Sequence, residues 1–208
     1  MIISRQKEIN EIVKLVSERD IFIIGCGKCA AKLRVGGEPE AIEMRNRLVK
    51  EGKNIVGFAV LNSACSIGSW EEVMVKNPGI KKAQALLVMS CGGGVSVISR
   101  FAGLQVYPAL DTESLGGICR DEIIKEQCGM CGECSVWLYG GICPVIQCPK
   151  GLLNGPCGGA LEGKCEVDER QCAWDGIYER LKKMGKLEFL EIIHEPKDHA
   201  KKFRGQKI

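Results

Sequence analysis

Eight cysteines lie within residues 128–172 of this chain, in the pattern C-x2-C-x2-C-x8-C-x4-C-x8-C-x7-C-x6-C. Thiolate sulfur is the ligand that iron–sulfur clusters and closed zinc sites use, and no fold needs cysteine at this density for packing. The pattern therefore predicts at least one metal centre in this segment. Its candidate ligands are Cys128, Cys131, Cys134, Cys143, Cys148, Cys157, Cys165 and Cys172.

Spacing alone leaves the grouping of these eight cysteines open. Three-residue spacing and a proline after cysteine are common in cluster-binding loops, and the first choice for a [4Fe–4S] cluster is Cys131, Cys134, Cys143 and Cys148. The remaining four are then left for zinc, or share the cluster in another pairing. A purely structural zinc module is the main alternative. Only His194 and His199 are present, which disfavours Rieske centres and mixed cysteine–histidine zinc sites.

A second group of cysteines follows three predicted strands in the first half of the chain. Cys26 and Cys29 follow the first strand, Cys65 the second and Cys91 the third. Because the carboxyl ends of parallel strands share one edge of a sheet, these four are predicted to ligate one [4Fe–4S] cluster there. The alternatives are a thioredoxin-like C-x2-C redox pair and, for Cys65 or Cys91, a buried small packing residue. Cys119 is expected to be structural.

The elements that must position these cysteines differ between the two halves. In residues 1–118 apolar runs alternate with helical patterns, which predicts an α/β domain with an open parallel sheet flanked by helices. The first helix has Ser4 as its expected N-cap. Residues 119–208 are predicted to form a Cys-rich metal-binding loop region and a C-terminal helix. That helix is expected to follow a cap at Asp168, to end at Gly185, and to pack through Trp174, Ile177, Tyr178, Leu181 and Met184.

Composition limits the classes of function. The chain has 29 Lys+Arg, 26 Asp+Glu and 5% aromatic residues, which argues against nucleic-acid binding. There is neither a recognisable signal peptide nor an apolar run of the ~20 residues that a membrane span needs, so a cytoplasmic protein is expected. In a reducing compartment cysteines serve as metal ligands, and an odd count fits disulfides poorly. The basic end is expected to be a solvated tail; it contains Lys197, Lys201, Lys202, Arg204 and Lys207.

Several motifs around the cysteines are similar to those of a known family. They occupy residues 140–145, 150–159, 163–167 and 172–181, and residues 25–29, 36–38 and 90–92 contribute further matches. The K-G-L-L-N-G-P-C-G-G stretch at 150–159 is the most specific. The chain resembles the MetV-type subunits, which are the small iron–sulfur, zinc-associated subunits of anaerobic methylenetetrahydrofolate reductases.

This resemblance implies a non-catalytic electron-transfer subunit with one or two [4Fe–4S] clusters and zinc as a further candidate. The implied partner is a MetF-type flavoprotein that reduces methylenetetrahydrofolate in the methyl branch of the reductive acetyl-CoA pathway. An upstream donor such as ferredoxin or another redox subunit is also implied. Two alternatives stay open: a zinc-stabilised scaffold for the flavoprotein, and a free-standing C-x2-C thiol oxidoreductase.

Overall fold

The computed structural model describes residues 1–119, 122–168 and 170–203 of the 208-residue chain. The chain divides into two compact units, residues 1–113 and 114–208. Within the described ranges no helix combines the length and the apolar character needed to span a membrane. Each unit carries one of the two groups of cysteines.

Four parallel strands form the sheet of the first unit, in the order β3-β2-β4-β5. They are β2 (Asp20–Cys26), β3 (Asn54–Leu61), β4 (Ala85–Met89) and β5 (Gln105–Pro108). The central strands β2 and β4 are almost wholly buried, as expected for a parallel sheet that is covered on both faces. The predicted open parallel sheet is confirmed.

Helices cover both faces of this sheet. They are α1 (Ile9–Leu15), α2 (Cys29–Lys32), α3 (Glu38–Lys50), α4 (Ile67–Lys76) and α5 (Gly92–Phe101). Successive side chains of a strand point to opposite faces, so β2 contributes to two separate clusters. Ile21 and Ile23 pack with residues of α1 and α3. Phe22 and Ile24 pack with residues of α4 and α5.

Two predicted helix starts are wrong. Ser4 is buried within strand β1 (Ile2–Gln6), and Glu8 is the N-cap of α1, because the first residues are drawn into a second sheet. The last helix, α7 (Ala173–Met184), has Cys172 as its N-cap, four residues beyond Asp168. Residues 166–168 form a turn, and Gln171 is in a β-bridge with Lys164, so the helix begins only after this bridge.

An antiparallel hairpin, which no pattern in the sequence predicted, leads into the Cys-rich region. It consists of β6 (Leu110–Cys119) and β7 (Glu122–Cys128), and β1 flanks β6 on its other side. The hairpin ends on Cys128, so it fixes where the first of the eight clustered cysteines lies.

Regular structure is sparse in the second unit. Beyond the hairpin it has α6 (Pro144–Gln147), α7 and 3₁₀ turns at Val136–Tyr139, Leu187–Glu191 and His199–Phe203. Its buried apolar cluster contains five residues: Leu138, Tyr139, Trp174, Ile177 and Leu181. Three of the five stripe residues predicted for α7 thus pack inward, whereas Tyr178 and Met184 are exposed. The predicted helix end at Gly185 is confirmed by its left-handed φ of 65°.

Candidate metal centres

The first candidate centre lies at the carboxyl edge of the parallel sheet. Cys26 is the last residue of β2 and pairs with Leu61, the last residue of β3. Gly25 pairs with Met89, the last residue of β4. The three strands therefore end level with one another. Cys29, Cys65 and Cys91 all lie within four residues beyond these ends, so all four predicted ligands belong to segments at one edge.

The four thiols at this edge differ in exposure. Cys26 is buried in the apolar cluster that contains Ala64 and Trp70. Cys29 and Cys91 are half-buried, and Cys65 is exposed with its Sγ 3.3 Å from Ser63 Oγ. Burial as a small packing residue therefore does not describe Cys65. A reactive thiol pair needs accessible sulfur, and the burial of Cys26 argues against a thioredoxin-like role for the C-x2-C pair.

Glycines let the cysteine-bearing segments approach one another closely. A Cβ on Gly36, just beyond α2, would lie 2.2 Å from the carbonyl oxygen of Met89 at the end of β4. A Cβ on Gly94 in the first turn of α5 would lie 2.7 Å from Cβ of Ala64. Because Ala64 adjoins Cys65 and α5 begins after Cys91, the segments that carry these two cysteines pack directly against each other.

Helix α5 adds a favourable field at this edge. Cys91 is its N-cap, and the amide of Gly92 donates to Thr112 Oγ1 at 2.8 Å. The N-terminus of a helix carries partial positive charge, which stabilises the negative charge of a thiolate-ligated metal. The edge therefore offers sulfur ligands and electrostatic support for the predicted cluster.

Replacement of Cys29 by serine should remove about one cluster's iron, about four atoms per chain, because serine oxygen is a poor substitute for thiolate on soft iron. Iron and zinc bound to the second unit should be unchanged. The measurement is metal content per chain after anaerobic purification, with Cys119→Ser as the control cysteine that should have no effect. Unchanged iron in Cys29→Ser would contradict the assignment of this site.

The second candidate centre surrounds a cavity of about 300 Å³ in the second unit. Four cysteines line it: Cys128, Cys131, Cys134 and Cys143. A water molecule takes up about 30 Å³ in the liquid, so this space holds several atoms rather than one. The amide of Met130 donates to the Cys128 sulfur at 3.3 Å, and N–H···S bonds of this kind help set the potential of a cluster.

The third candidate centre surrounds a much smaller cavity, of about 20 Å³. The remaining four cysteines of the segment line it: Cys148, Cys157, Cys165 and Cys172. A space of this size admits about one sphere the size of a water molecule. Cys148 and Cys172 also pack against the small apolar cluster of this unit. The backbone amide of Cys172 donates to the Gly163 carbonyl at 2.7 Å, which closes a short ribbon around the site.

One ion pair stands beside this small cavity. Lys150 and Glu166, which both line it, form a salt bridge. The Lys150 ammonium holds the pKa of the Glu166 carboxyl below its usual value, and the Cys157 thiol contributes in the same direction. The amide of Gly159 donates to the Cys157 sulfur at 3.4 Å. The site thus combines four sulfurs with an ion pair that has no net charge.

The two cavities group the eight cysteines differently from the first choice based on spacing. Cys143 and Cys148 are the N-cap and C-cap of the single turn α6, so they lie at opposite ends of it and face different cavities. Hairpin β6–β7 brings Cys128 to the first cavity instead, where Gly129 lies against Val145 of α6. The spacing of the cysteines does not predict this hairpin.

The described cysteines all carry free thiols, and the side chain of Cys119 lies outside the described ones. Across the described ranges no three His, Cys, Asp or Glu side chains are already arranged to hold a metal ion. Binding at any of the three sites would therefore need side-chain adjustment. What the structure supplies is the donor chemistry, four sulfurs at each site, and two cavities of different size.

Part of the basic end contacts the second centre and is not a solvated tail. Lys197 lines the 300 Å³ cavity, and its ammonium donates to Ser135 Oγ at 2.7 Å. Lys201 forms a 2.6 Å ion pair with Glu133, whose carboxyl pKa is lowered mainly by this contact. The side chain of Lys202 and all of Arg204 and Lys207 lie outside the described part of the chain.

Comparison with known families gives a match to part of the chain. Residues 107–200 match a family described as "Methylene-tetrahydrofolate reductase C terminal". Comparison with curated proteins and with solved structures found no significant match. The matched range contains all eight cysteines of the second and third centres, and it relates this part of the chain to proteins associated with methylenetetrahydrofolate reductase.

Proposed function

We propose that this chain is the iron–sulfur subunit of a methylenetetrahydrofolate reductase complex and that it relays electrons to the flavin of a MetF-type catalytic partner. The observation that carries the proposal is the family match over residues 107–200. Within that range the cysteines divide into two sets of four, each around its own cavity. The motifs at 150–159 and 25–29 resemble the MetV-type subunit of such complexes and support the same assignment.

The sizes of the two cavities suggest different occupants. Cys128, Cys131, Cys134 and Cys143 would hold a [4Fe–4S] cluster, which supplies one-electron transfer when it is bound. Cys148, Cys157, Cys165 and Cys172 would hold a single zinc ion, which is redox-inactive and tetrahedral in all-cysteine sites. The sheet edge of the first unit would hold the other cluster through Cys26, Cys29, Cys65 and Cys91.

The chain's own residues then have three tasks. The cysteine thiolates bind the metals, and the amides of Met130 and Gly159 donate to the Cys128 and Cys157 sulfurs. The metal held by Cys148, Cys157, Cys165 and Cys172 would stabilise the second unit, since the five residues of the buried cluster in its described part are a small core. Reduction of the folate belongs to the flavoprotein partner. A zinc-stabilised scaffold remains the competing function, and it predicts zinc without iron.

The proposal predicts a brown protein after anaerobic purification, with the broad absorption near ~400 nm of thiolate-ligated iron. Alone it should not reduce methylenetetrahydrofolate, and with its flavoprotein partner it should support reduction from a low-potential donor. Cys134→Ser should lower that rate at least about tenfold, because a relay centre is lost. The partner's activity with artificial dyes should be unaffected in this variant.

Two results would overturn this proposal. A colourless protein with zinc as its only metal would favour the scaffold. Folate turnover by the chain in the strict absence of a flavoprotein would show that it is not a relay subunit.

A further inference from the structure

Lys197 approaches the first four-cysteine loop of the second unit from a distant part of the chain. Its ammonium donates to the carbonyl oxygen of Glu133 at 2.9 Å and to Ser135 Oγ at 2.7 Å. These two residues flank Cys134, and Lys197 lines the same 300 Å³ cavity as the four cysteines. Its side chain is half-buried. A fixed positive charge therefore lies at the wall of this cavity.

Further contacts hold this part of the chain in place. Lys201 pairs with Glu133 at 2.6 Å, and the amide of Asp198 donates to the other carboxylate oxygen of Glu133 at 3.4 Å. Residues 197–201 therefore hold the loop 131–135 through the Lys197 ammonium, the Asp198 amide and the Lys201 ammonium. We call residues 197–201 the clasp. Upstream, the backbone of His194 exchanges two hydrogen bonds with the Asn154 side chain, at 2.7 and 2.9 Å.

These contacts affect the electrostatics of the site more than they affect the free energy of folding. Exposed ion pairs such as Lys201–Glu133 contribute little to folding free energy. A positive charge held at the wall of a metal site has a larger effect on a group whose charge changes inside that site, because Coulomb energy rises as the distance falls. A cluster with four thiolate ligands is anionic, and it becomes more so by one unit when it accepts an electron. An ammonium at the cavity wall therefore favours the reduced form.

We infer that Lys197 is a positioning residue that raises the reduction potential of the centre held by Cys128, Cys131, Cys134 and Cys143, and that residues 197–201 keep its charge at the cavity. This inference rests on the proposed function, which places an iron–sulfur cluster at these cysteines. The redox step would be a one-electron transfer: a cluster bound there would take one electron from the donor and pass it to the flavoprotein.

The test is a redox titration of the whole chain followed by electron paramagnetic resonance. The signal that disappears in Cys134→Ser identifies the centre. At a fixed potential, Lys197→Gln should lower the ratio of reduced to oxidised centre at least about threefold, since one positive charge is lost near it. Lys197→Arg should restore the ratio. Lys183→Gln removes the same charge from an exposed position on α7 and should leave the ratio unchanged.

A second variant, Glu133→Gln, should change the ratio of reduced to oxidised centre in the opposite direction. It removes a negative charge from the same loop, so the ratio should rise. A purely structural role for the clasp predicts shifts of the same sign in both variants, or none. If Lys197→Gln does not retain its iron, the ratio measured in Glu133→Gln still tests the inference.

The outcomes separate the two proposals. Iron in the wild-type site with no shift in either variant, or an equal shift in Lys183→Gln, overturns the role of Lys197 and leaves the proposed function intact. Wild-type protein without iron at this site overturns the proposed function and the inference with it. Opposite shifts in the Lys197 and Glu133 variants establish the inference.

Discussion

Cys148→Ser is expected to empty the small metal site of the second unit and to leave the larger one filled. Cys148 lines the cavity of about 20 Å³ together with Cys157, Cys165 and Cys172. Loss of one of four thiolates should remove about one zinc ion per chain, while iron content stays at the wild-type level. The measurement is iron and zinc per chain after anaerobic purification.

Cys128→Ser is the matched control for this experiment. Cys128 lines the larger cavity, so its replacement should cost about four iron atoms and leave zinc in place. The grouping based on spacing predicts the reverse for Cys148, which it joins to Cys131, Cys134 and Cys143. If Cys148→Ser loses iron and Cys128→Ser keeps it, the grouping based on the cavities is wrong and the grouping based on spacing is right.

Removal of metal should unfold the second unit while the first keeps its sheet. Among its described residues the second unit buries one apolar cluster of five, whereas the sheet of the first unit is covered by two larger clusters. Structural zinc contributes about 10–16 kcal/mol to the folding of small metal domains, which is more than a core of this size can replace. Chelation under reducing conditions should therefore loosen residues 128–172 first.

Amide hydrogen exchange with and without chelator measures this difference. Amides of residues 128–172 should lose most of their protection, and those of β2 and β4 should keep it, because both strands are central and buried. Trp174 offers a second readout, since it is 6% exposed in the small cluster and its fluorescence should shift on exposure to water. Equal protection of residues 128–172 in the metal-free protein would contradict the prediction.

The parallel sheet was predictable because its strands are continuous apolar runs that turn signals separate. β4 is five buried residues in succession, and a helix pattern follows it at once. The hairpin β6–β7 was not predictable in this way. Its strands contain Asp111, Glu113 and Glu122, and they lack the regular alternation that marks a half-buried strand.

The sequence identifies the candidate metal ligands, but it does not predict which of them line the same cavity. Cysteine density indicates metal, yet the partner of a given thiol depends on which turn or hairpin separates it from its neighbour in sequence. Cys143 and Cys148 are close in sequence but line different cavities, because they lie at opposite ends of the short helix α6. The sequence predicts a solvated Lys197, because the residues that it contacts lie 62 and 64 positions away along the chain. Pairings over such distances leave no local pattern.

The contacts between the clasp and its loop join residues that are 62 and 64 positions apart, so the two segments are synthesised at different times. Residues 128–143 leave the ribosome well before residues 197–201, so all four cysteines of the larger cavity are available while the clasp is still missing. Glu133 and Ser135 lack their lysine partners during this interval, so on the proposed function the loop 131–135 would be open to iron and sulfide. The clasp would form afterwards, and it would oppose the escape of the metal rather than its entry.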